Sequence, residues 1–558
     1  MTRKFLTIIG CILFAVAFSV PVEARGAKTE KEDTETLRVF IFAGQSNMVG
    51  SDSSAKDVKD FPPYVGCGVE QPKIKYSYAI GRENMMKSNG WTVLKPVNNV
   101  VGAELSFGQK VSQSIKAPIA IIKCASGGTH LAGDWNPDNP SGFKLYPIAL
   151  KLVKDSLKAL DDKKIKYRVE GFMWHQGESD MLTPEYKPEY AKNLKNFIGK
   201  WRKDLNLPEL RFYIGELCTK TVWGMDNRSN MHTVSLAQKE VCQEDDLVEY
   251  IPTNHVDVRT RSNNGLHYHY GTLGQLEHGH NYATAYLSNI GKLETVKRTL
   301  KKWPYKKGST VKLFILAGHR NMEGEVSFVE NLKKLKAHAK LAKDNHKVAF
   351  SYSLGGGYKV SKTWEPLGPA GMYDTFGPEL SFASNLQKNV KGDIAIAKFT
   401  HSGSQIIDWT PEGSEAKSRN LYPPFIAFIQ SQVKALEDKG HKVKIEGIFY
   451  HVGENDMSYP YYKTKAAKWV KLFVEQSRTD LKQKDLKWFI SQQPPTKFKT
   501  ANKTDVMAQL EEFAKTNKNT FHVKALGLLK EDEHIRMDTE AVVKLGLLLS
   551  NTYLEQGN

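Results

Sequence analysis

A serine that could act as a nucleophile follows the first apolar run of the folded chain. Ser46 lies in Gly-Gln-Ser-Asn-Met (44–48), directly after Arg-Val-Phe-Ile-Phe-Ala, where a strand is expected to end and a helix to begin. The free N–H groups at a helix N-terminus stabilise an oxyanion, so the N–H of the serine itself is a candidate donor. A serine that only caps a helix has the same local pattern, so this segment needs support from others.

Two glycines could supply a second oxyanion donor. They lie in Cys-Ala-Ser-Gly-Gly-Thr (124–129), which follows the apolar run Ile-Ala-Ile-Ile-Lys. Because glycine lacks a Cβ atom, the backbone N–H groups of Gly127 and Gly128 can approach a ligand closely. A plain turn has the same composition, so the pair is weak evidence by itself.

A third segment concentrates polar and ionisable side chains. Trp-His-Gln-Gly-Glu-Ser-Asp (174–180) follows the apolar run Val-Glu-Gly-Phe-Met. Gln176 is a candidate side-chain donor to the oxyanion, and either Glu178 or Asp180 could orient a histidine. A loop with solvated acids is the alternative interpretation, above all for Asp180.

The general base is expected near the end of the first half of the chain. Asn-Gly-Leu-His-Tyr-His-Tyr (264–270) precedes a helical stretch and contains His267 and His269. Either histidine could take the proton of Ser46 during attack on an ester carbonyl. A surface or core position is the alternative for a lone histidine, but two of them open this helix.

The elements that must position these groups alternate between β-rich apolar runs and amphipathic helical patterns. This alternation predicts an α/β fold with a parallel sheet covered by helices on both faces. Ligands of such sheets bind at the carboxyl ends of the strands. The nucleophile, glycine and acid segments each follow a predicted strand directly, which supports a site at that edge.

The chain contains two copies of this pattern. Residues 37–50 match 311–324, and residues 169–181 match 445–457, at a nearly constant offset. A constant offset over several blocks indicates a duplicated domain rather than a short-period solenoid. The predicted organisation is a first domain at 35–297, a basic linker at 298–307 and a second domain at 308–558.

The second copy has lost the groups that could do chemistry. An arginine cannot act as the nucleophile, so we expect the second domain to be inactive, and we hypothesise that two arginines in its old cleft bind an anion or a glycan carboxylate. The alignment replaces Ser46, Gly128, Gln176 and His269 by Arg320, Ser404, Val452 and Arg536, and retains His451, Gly453, Glu454 and Asp456.

The amino terminus predicts export. Arg3 and Lys4 precede the apolar run 5–20, and Val-Glu-Ala ends at Ala24 with small residues at the positions that a signal peptidase reads. The sequence therefore predicts a signal peptide at 1–24 and a secreted or periplasmic protein at the cell envelope. The run is short for a membrane span, and no later stretch reaches transmembrane length.

The charge and cysteine content restrict the partners. The net charge is +18, but the lysines are spread along amphipathic helices, which favours a solvated surface over a nucleic-acid site. No zinc spacing is present, and neither a metal nor another cofactor is expected. One disulfide is possible among the cysteines after the signal, which are Cys67, Cys124, Cys218 and Cys242.

In order along the chain, the quoted segments resemble the conserved blocks of the SGNH hydrolase superfamily. Within it, the first domain is similar to carbohydrate esterase family 6 and to the sialate O-acetylesterase domain. The resemblance implies a flavodoxin-like three-layer α/β/α fold and a metal-free serine esterase that removes acetyl groups from sugars. It implies Ser46 as the nucleophile, an oxyanion site of Ser46 N–H, Gly128 and Gln176, Glu178 as the acid, and substrate contacts at Gln45, Asn47 and Thr129.

The orienting acid departs from that family pattern, which often has Asp-x-x-His before the last helix. With His269 as the base, the aspartate position holds Leu266, and with His267 it holds Asn264. The acid must therefore come from elsewhere, and Glu178 is the candidate. We favour His269 as the base and keep His267 as the second choice.

The sequence therefore predicts a secreted carbohydrate O-acetylesterase of the acetylxylan or sialate type with one active site. A non-catalytic glycan-binding protein built from two such modules is the alternative. The identity of the acetylated sugar and the oligomeric state stay open.

Overall fold

A computed structural model describes the chain at residues 33–217, 228–258, 269–295, 297–452, 456, 460–492, 503–525, 528 and 536–556. Within these residues the chain forms two tandem α/β domains, each built on an eight-stranded sheet. The predicted α/β class, the parallel sheets and the duplication are thereby confirmed. The predicted signal at 1–24 lies outside the described residues, as does His267.

The first sheet has the order β3-β2-β5-β1-β6-β7-β8, with β4 paired to β2 at the edge. The strands from β2 to β8 along this path are parallel, whereas β3 and β4 run antiparallel to β2. The first strand therefore lies in the middle of the sheet. The strands are β1 (Leu37–Gly44), β2 (Gln71–Ile80), β3 (Met86–Lys87), β4 (Thr92–Leu94), β5 (Ile119–Ala125), β6 (Tyr167–His175), β7 (Phe212–Gly215) and β8 (Val248–Ile251).

Helices cover both faces of this sheet because β1 is apolar on both sides. Val39 and Ile41 pack toward α3, α5 and α6, whereas Phe40 and Phe42 pack toward α2 and α7. Alternate residues of a strand point to opposite faces, so the continuous apolar run of β1 is explained by burial on both. The helices are α1 (Ser46–Val49), α2 (Ala103–Ser114), α3 (Leu145–Asp161), α4 (Glu178–Met181), α5 (Tyr190–Asp204), α6 (Arg228–Glu244) and α7 (Gly271–Asn289).

The second domain repeats this architecture. Its sheet has the order β11-β10-β13-β9-β14-β15-β16, with β12 paired to β10. The strands are β9 (Thr310–Gly318), β10 (Asn345–Leu354), β11 (Lys359–Val360), β12 (Glu365–Leu367), β13 (Asp393–Thr400), β14 (Lys442–His451), β15 (Trp488–Gln492) and β16 (Thr520–Lys524). The helices are α8 (Arg320–Glu323), α9 (Val329–Lys334), α10 (Glu379–Asn389), α11 (Tyr422–Glu437), α12 (Pro460–Lys463), α13 (Ala466–Asp480), α14 (Lys503–Thr516) and α15 (Thr539–Gln556).

The segment predicted as a linker, 298–307, is packed onto the second domain. Tyr305 is buried in the core of that domain, and its hydroxyl donates to the carbonyl of Ile394 at 2.5 Å. Trp303 Nε1 donates to His441 Nε2 at 2.7 Å. Aromatic residues therefore fix this segment, although its sequence is rich in lysine. None of the helices in the described part of the chain is long and apolar enough to span a membrane.

Candidate active site

The predicted site segments meet at one edge of the first sheet. Strands β5, β1 and β6 are neighbours, and the nucleophile, glycine and acid segments follow their carboxyl ends. Adjacent parallel strands end at the same edge, so loops that are far apart in sequence become neighbours there. The topology thus explains why these three segments can form one site.

Ser46 is the first residue of α1, and this short helix is fixed by the glycines on either side of it. Gly44 has a φ of 152°, and an added Cβ atom would overlap the carbonyl oxygen of His175. Gly50 ends the helix in a left-handed conformation with a φ of 99°. Ser46 is largely buried in this turn, with 7% of the residue exposed. The N–H groups of Met48 and Val49 both donate to Gln45 O at 2.8 Å, which closes this turn.

The glycine loop lies opposite Ser46. A Cβ atom on Gly127 would lie 3.5 Å from Ser46 Cβ, and Gly128 adopts a φ of 68°, which favours glycine. Thr129 does not face the cleft as its predicted substrate contact requires. Its buried hydroxyl donates to Ser126 O at 2.8 Å and accepts from Trp135 Nε1 at 3.0 Å. Thr129 therefore holds the glycine loop in place.

His269 lies against the turn that begins with Ser46. Its Nδ1 atom is 3.0 Å from the carboxylate of Asp52, a residue that the sequence reasoning did not select. The next residue, Tyr270, donates its backbone N–H to Asn47 Oδ1 at 3.1 Å. Residues adjacent to the serine and to the histidine are thus hydrogen-bonded to each other. With Nδ1 held by a carboxylate, the imidazole presents Nε2 as its basic atom.

Asp52 was missed because nothing in its local sequence separates it from other loop acids. It lies six residues beyond Ser46 in a left-handed conformation with a φ of 62°, which aspartate tolerates better than most residues. Its neighbours Ser51 and Ser53 are typical of a surface turn. The approach of residue 269 to this turn in three dimensions brings the carboxylate beside the imidazole.

Glu178 contacts Asn47 and His175 rather than His269, the histidine that it was predicted to orient. Asn47 Nδ2 donates to Glu178 Oε1 at 2.6 Å, and His175 Nε2 is 3.3 Å from the same oxygen. Burial opposes ionisation, but His175 and Asn47 outweigh it and hold the pKa of the Glu178 carboxyl below its usual range. Glu178 thus positions Asn47, which in turn positions Tyr270. Asn47 is itself fully buried, so its predicted substrate contact is replaced by this bridging role.

Gln176 is buried, and its side-chain amide is already engaged. Its Nε2 atom donates to Thr129 O at 2.9 Å, to Asp180 Oδ2 at 2.5 Å and to Gln45 Oε1 at 3.1 Å. An amide nitrogen has two hydrogens, so three acceptors leave none for an oxyanion in this arrangement. The structure therefore places Gln176 in the scaffold beneath the site, and the predicted donor role is not what its geometry supports.

Gln45 braces the same scaffold from the nucleophile side. Its Oε1 atom also accepts from the backbone N–H groups of Gly177 and Ser179, each at 3.3 Å. Since an amide oxygen must accept from backbone donors, the orientation of the Gln45 amide is fixed. With 2% of the residue exposed, Gln45 is a support for the turn rather than the substrate contact predicted.

Asp180 is also a structural acid. It is buried, and its carboxylate accepts from the backbone N–H groups of Leu131 at 2.9 Å and Ala132 at 3.2 Å. Burial raises the pKa of this carboxyl above its ordinary value. In the second domain Asp456 accepts in the same way from Ile406 N at 3.2 Å. The expectation that Asp180 orients the base is therefore replaced by a role in holding the loop after the glycines.

The degenerate copy keeps the backbone frame and changes the reactive side chains. Met537 N donates to Asn321 Oδ1 at 2.8 Å, which repeats the bond between Tyr270 and Asn47 and places Arg536 where His269 lies. One alignment detail is corrected. Trp409 Nε1 donates to Ser404 Oγ at 3.0 Å, so Ser404 corresponds to Thr129. Gly403, with a φ of 74°, is therefore the counterpart of Gly128.

The hypothesis of an anion site between Arg320 and Arg536 is not supported. Arg320 lies 3.8 Å from the carboxylate of Glu325 within its own domain. Arg536 forms an ion pair with Asp257 of the first domain. Both guanidinium groups are thus already matched with a carboxylate of this chain.

Metal ligands and cysteines add nothing to the site. The described residues contain no group of three or more histidine, cysteine, aspartate or glutamate side chains that could hold a metal. Cys67, Cys124 and Cys242 are free thiols, and Cys218 lies outside the described residues.

The comparison with known proteins agrees with this fold. The family model described as carbohydrate esterase, sialic acid-specific acetylesterase matches residues 36–288 and again residues 310–555. The chain belongs to this family. The carbohydrate esterase assignment thus holds for both copies, and the predicted resemblance is confirmed.

Individual relatives cover parts of this carbohydrate esterase. A probable carbohydrate esterase from Arabidopsis thaliana is 28% identical over 184 residues, which are 31% of this chain and 66% of that protein. The match thus spans just under two thirds of that relative. Its X-ray structure covers 45% of this chain and 98% of its own at 24% identity and a TM-score of 0.35. The crystal structure of a carbohydrate acetylesterase from Xanthomonas citri matches 48% of this chain and 60% of its own chain. The sequence identity is 16% and the TM-score is 0.33.

Proposed function

We propose that the protein is a serine esterase that removes O-acetyl groups from carbohydrates at a single active centre in its first domain. The observation that carries the proposal is the 3.0 Å contact between His269 Nδ1 and Asp52, made in the turn that starts at Ser46. Membership of the carbohydrate esterase family supports the reaction class. A module that only binds glycans has no need for a histidine held in this way.

In the first half of the reaction, His269 Nε2 takes the proton of Ser46 Oγ as that oxygen attacks the acetyl carbonyl. The backbone N–H groups of Ser46 and Gly128 are the proposed oxyanion donors, since the glycine loop approaches Ser46 at Gly127. The imidazolium that forms keeps its Nδ1–H on the Asp52 carboxylate. The imidazolium then gives its Nε2 proton to the departing sugar oxygen. The acetyl group stays bound to Ser46 Oγ.

In the second half, water replaces the sugar. His269 takes a proton from the water while the water oxygen attacks the acetyl-serine carbonyl. The tetrahedral intermediate collapses, the proton returns to Ser46 Oγ, and acetate leaves. No metal or organic cofactor enters either half.

A cation at the mouth of the site favours an acidic sugar. Arg82 follows β2, and its guanidinium carbon lies 4.4 Å from the ring centroid of Phe143. A Cβ atom on Gly128 would lie 3.5 Å from Arg82 Nη1, so the guanidinium is beside the glycine loop. Arginine recognises carboxylates through paired N–H donors. Among the sugars predicted, we therefore place sialate esters ahead of neutral xylan. Export through a signal at 1–24 belongs to the same proposal.

Acetate release tests this function directly. Purified full-length protein is incubated with O-acetylated sialic acid and with acetylated xylan, and acetate is measured for the wild type, Ser46→Ala and Ser51→Ala. We expect release from the sialate ester, its loss in Ser46→Ala, and near wild-type rates in Ser51→Ala, which changes a serine of the same turn. Wild-type activity in Ser46→Ala overturns the nucleophile. Tight binding of either glycan without acetate release supports the glycan-binding alternative instead.

A further inference from the structure

The second domain contacts the first beside residues that flank the proposed active centre. A cavity of about 730 Å³ lies between the domains, and its lining includes Asp52 and Tyr270 from one domain and Phe328 and Arg536 from the other. Phe328 packs into the apolar core of the first domain, with its ring 6.2 Å from that of Phe61. The two copies therefore meet through the neighbourhood of their active-site positions.

Arg536 crosses this boundary from the position that holds the base in the first copy. Its guanidinium pairs with the carboxylate of Asp257, and the side chains are only 15% and 4% exposed. Burial disfavours the charge on Arg536, but Asp257 outweighs it and raises the pKa of the guanidinium above its ordinary value. A charge pair so well shielded from solvent is strongly coupled, since neither partner has water as a substitute.

Asp257 belongs to the segment 255–258, which packs against Tyr270, the residue next to His269. Val256 and Val258, on either side of it, form a buried cluster with Tyr270. The backbone N–H of Asp257 donates to Glu277 Oε2 in α7 at 2.6 Å. On Gly274 of α7, an added Cβ would overlap the carbonyl oxygen of Asp257. The segment 255–258 is thus in direct contact with the first turns of α7 and with Tyr270.

The same segment contacts the second domain at another point. His255 stacks on Tyr358, with ring centroids 3.8 Å apart. Beside it, the Tyr373 hydroxyl donates to Asn281 Oδ1 of α7 at 2.9 Å. The side chains of His255 and Asp257 therefore contact the second domain, whereas those of Val256 and Val258 contact Tyr270.

We propose that the second domain is a positioning module for the first, and that Arg536 is a positioning residue for His269. The path runs from Arg536 through Asp257 to the valines that enclose Tyr270, whose own N–H bonds to Asn47 beside Ser46. Loss of the arginine removes a cation that pairs with the buried carboxylate of Asp257, and we expect the segment to shift in response. A displacement of about 1 Å at the base costs on the order of 10²-fold in rate. This inference rests on the proposed esterase function.

The test uses the full chain and measures kcat and KM on the ester that the wild type hydrolyses. We expect Arg536→Gln to lower kcat by tenfold or more while KM changes less than twofold. Arg536→Lys, which keeps the charge, recovers part of the loss. Arg536→Gln combined with Asp257→Asn is more active than Arg536→Gln alone, because no uncompensated charge is left buried.

Glu415→Gln is the matched control. It disturbs another polar contact between the domains, the 2.9 Å bond from Ser229 Oγ to Glu415, which is exposed. It should leave kcat and KM at wild-type values. A loss of the same size in Glu415→Gln, or wild-type kcat in a folded Arg536→Gln, overturns the inference.

Amide hydrogen exchange separates this inference from the esterase proposal. In Arg536→Gln we expect faster exchange in peptides that cover 254–258 and 269–276, with unchanged exchange in β1 and β5. This readout does not require activity. If the wild type is inactive but Arg536→Gln shows this faster exchange, only the esterase proposal fails. If the wild type is active but Arg536→Gln exchanges like the wild type, the positioning role fails.

Discussion

The two domains share a scaffold and differ in the residues that could do chemistry. Each contains a buried ion pair beneath its first short helix, from Lys123 to Glu104 at 2.7 Å in the first domain and from Lys398 to Glu379 at 2.8 Å in the second. The lysines also donate to the ends of α1 and α8, at Val49 O and Glu323 O. Because both copies retain this ion pair, we assign it a role in the shared fold rather than in the chemistry proposed for the first domain alone.

The comparison of the two copies separates the polar residues around the site into those that support the loops and those proposed to react. The carboxylate of Asp180 and its counterpart in the second copy hold the same loop, and the bond between Asn47 and Tyr270 is also duplicated. By contrast, Ser46 and His269 each have an arginine as counterpart. A motif rich in polar side chains can therefore hold the loops of a site in place as readily as it can supply catalytic groups.

After the nucleophile itself, the largest expected effect in the first domain comes from Asp52, which the second copy lacks. Asp52→Asn removes the charge that stabilises the His269 imidazolium, and we expect kcat to fall by about 10²–10⁴-fold. Steady-state acetate release measures the change. Asp60→Asn is the control, because Asp60 lines the same cavity and should keep full activity. Equal losses in both variants indicate a general effect of negative charge and contradict the assignment.

A smaller effect, on stability, is expected at Gln176. The second domain has Val452 at the equivalent position, so Gln176→Val converts the first copy toward the second. Removal of the amide takes one hydrogen bond each from the buried Thr129 O, Asp180 and Gln45. We therefore expect a loss of about 1–3 kcal/mol in the free energy of unfolding. Urea unfolding followed by circular dichroism measures it. An unchanged stability with an abolished kcat supports the oxyanion role that the sequence first indicated.

The fold and the positions of the motifs were predictable because they depend on local patterns. The apolar run of β1 with glycine after it specifies a buried strand and a tight turn, and the duplicated blocks specify two domains. The proposal of Ser46 and His269 as nucleophile and base depends on the same kind of local pattern. A serine directly after a predicted strand and a histidine directly before a predicted helix are residue types that can serve as nucleophile and base.

The roles of the other polar residues were not predictable, because burial and hydrogen-bond partners are set by distant parts of the chain. Gln176 resembles an oxyanion donor in sequence, but Thr129 and Asp180 occupy its hydrogens. Asp52 resembles any loop acid until residue 269 approaches it. The pairing of Arg536 with Asp257 joins two domains and has no local signal at all.

Covalent labelling tests most directly that one copy reacts and the other does not. The full-length protein is treated with a fluorophosphonate, which reacts with activated serines, and the modified residue is mapped by mass spectrometry of proteolytic peptides. The account predicts a single adduct on Ser46, slowed strongly in His269→Ala and Asp52→Asn, and no adduct between residues 310 and 556. An adduct within that second region, or undiminished labelling of the first domain in Ser46→Ala, would contradict it.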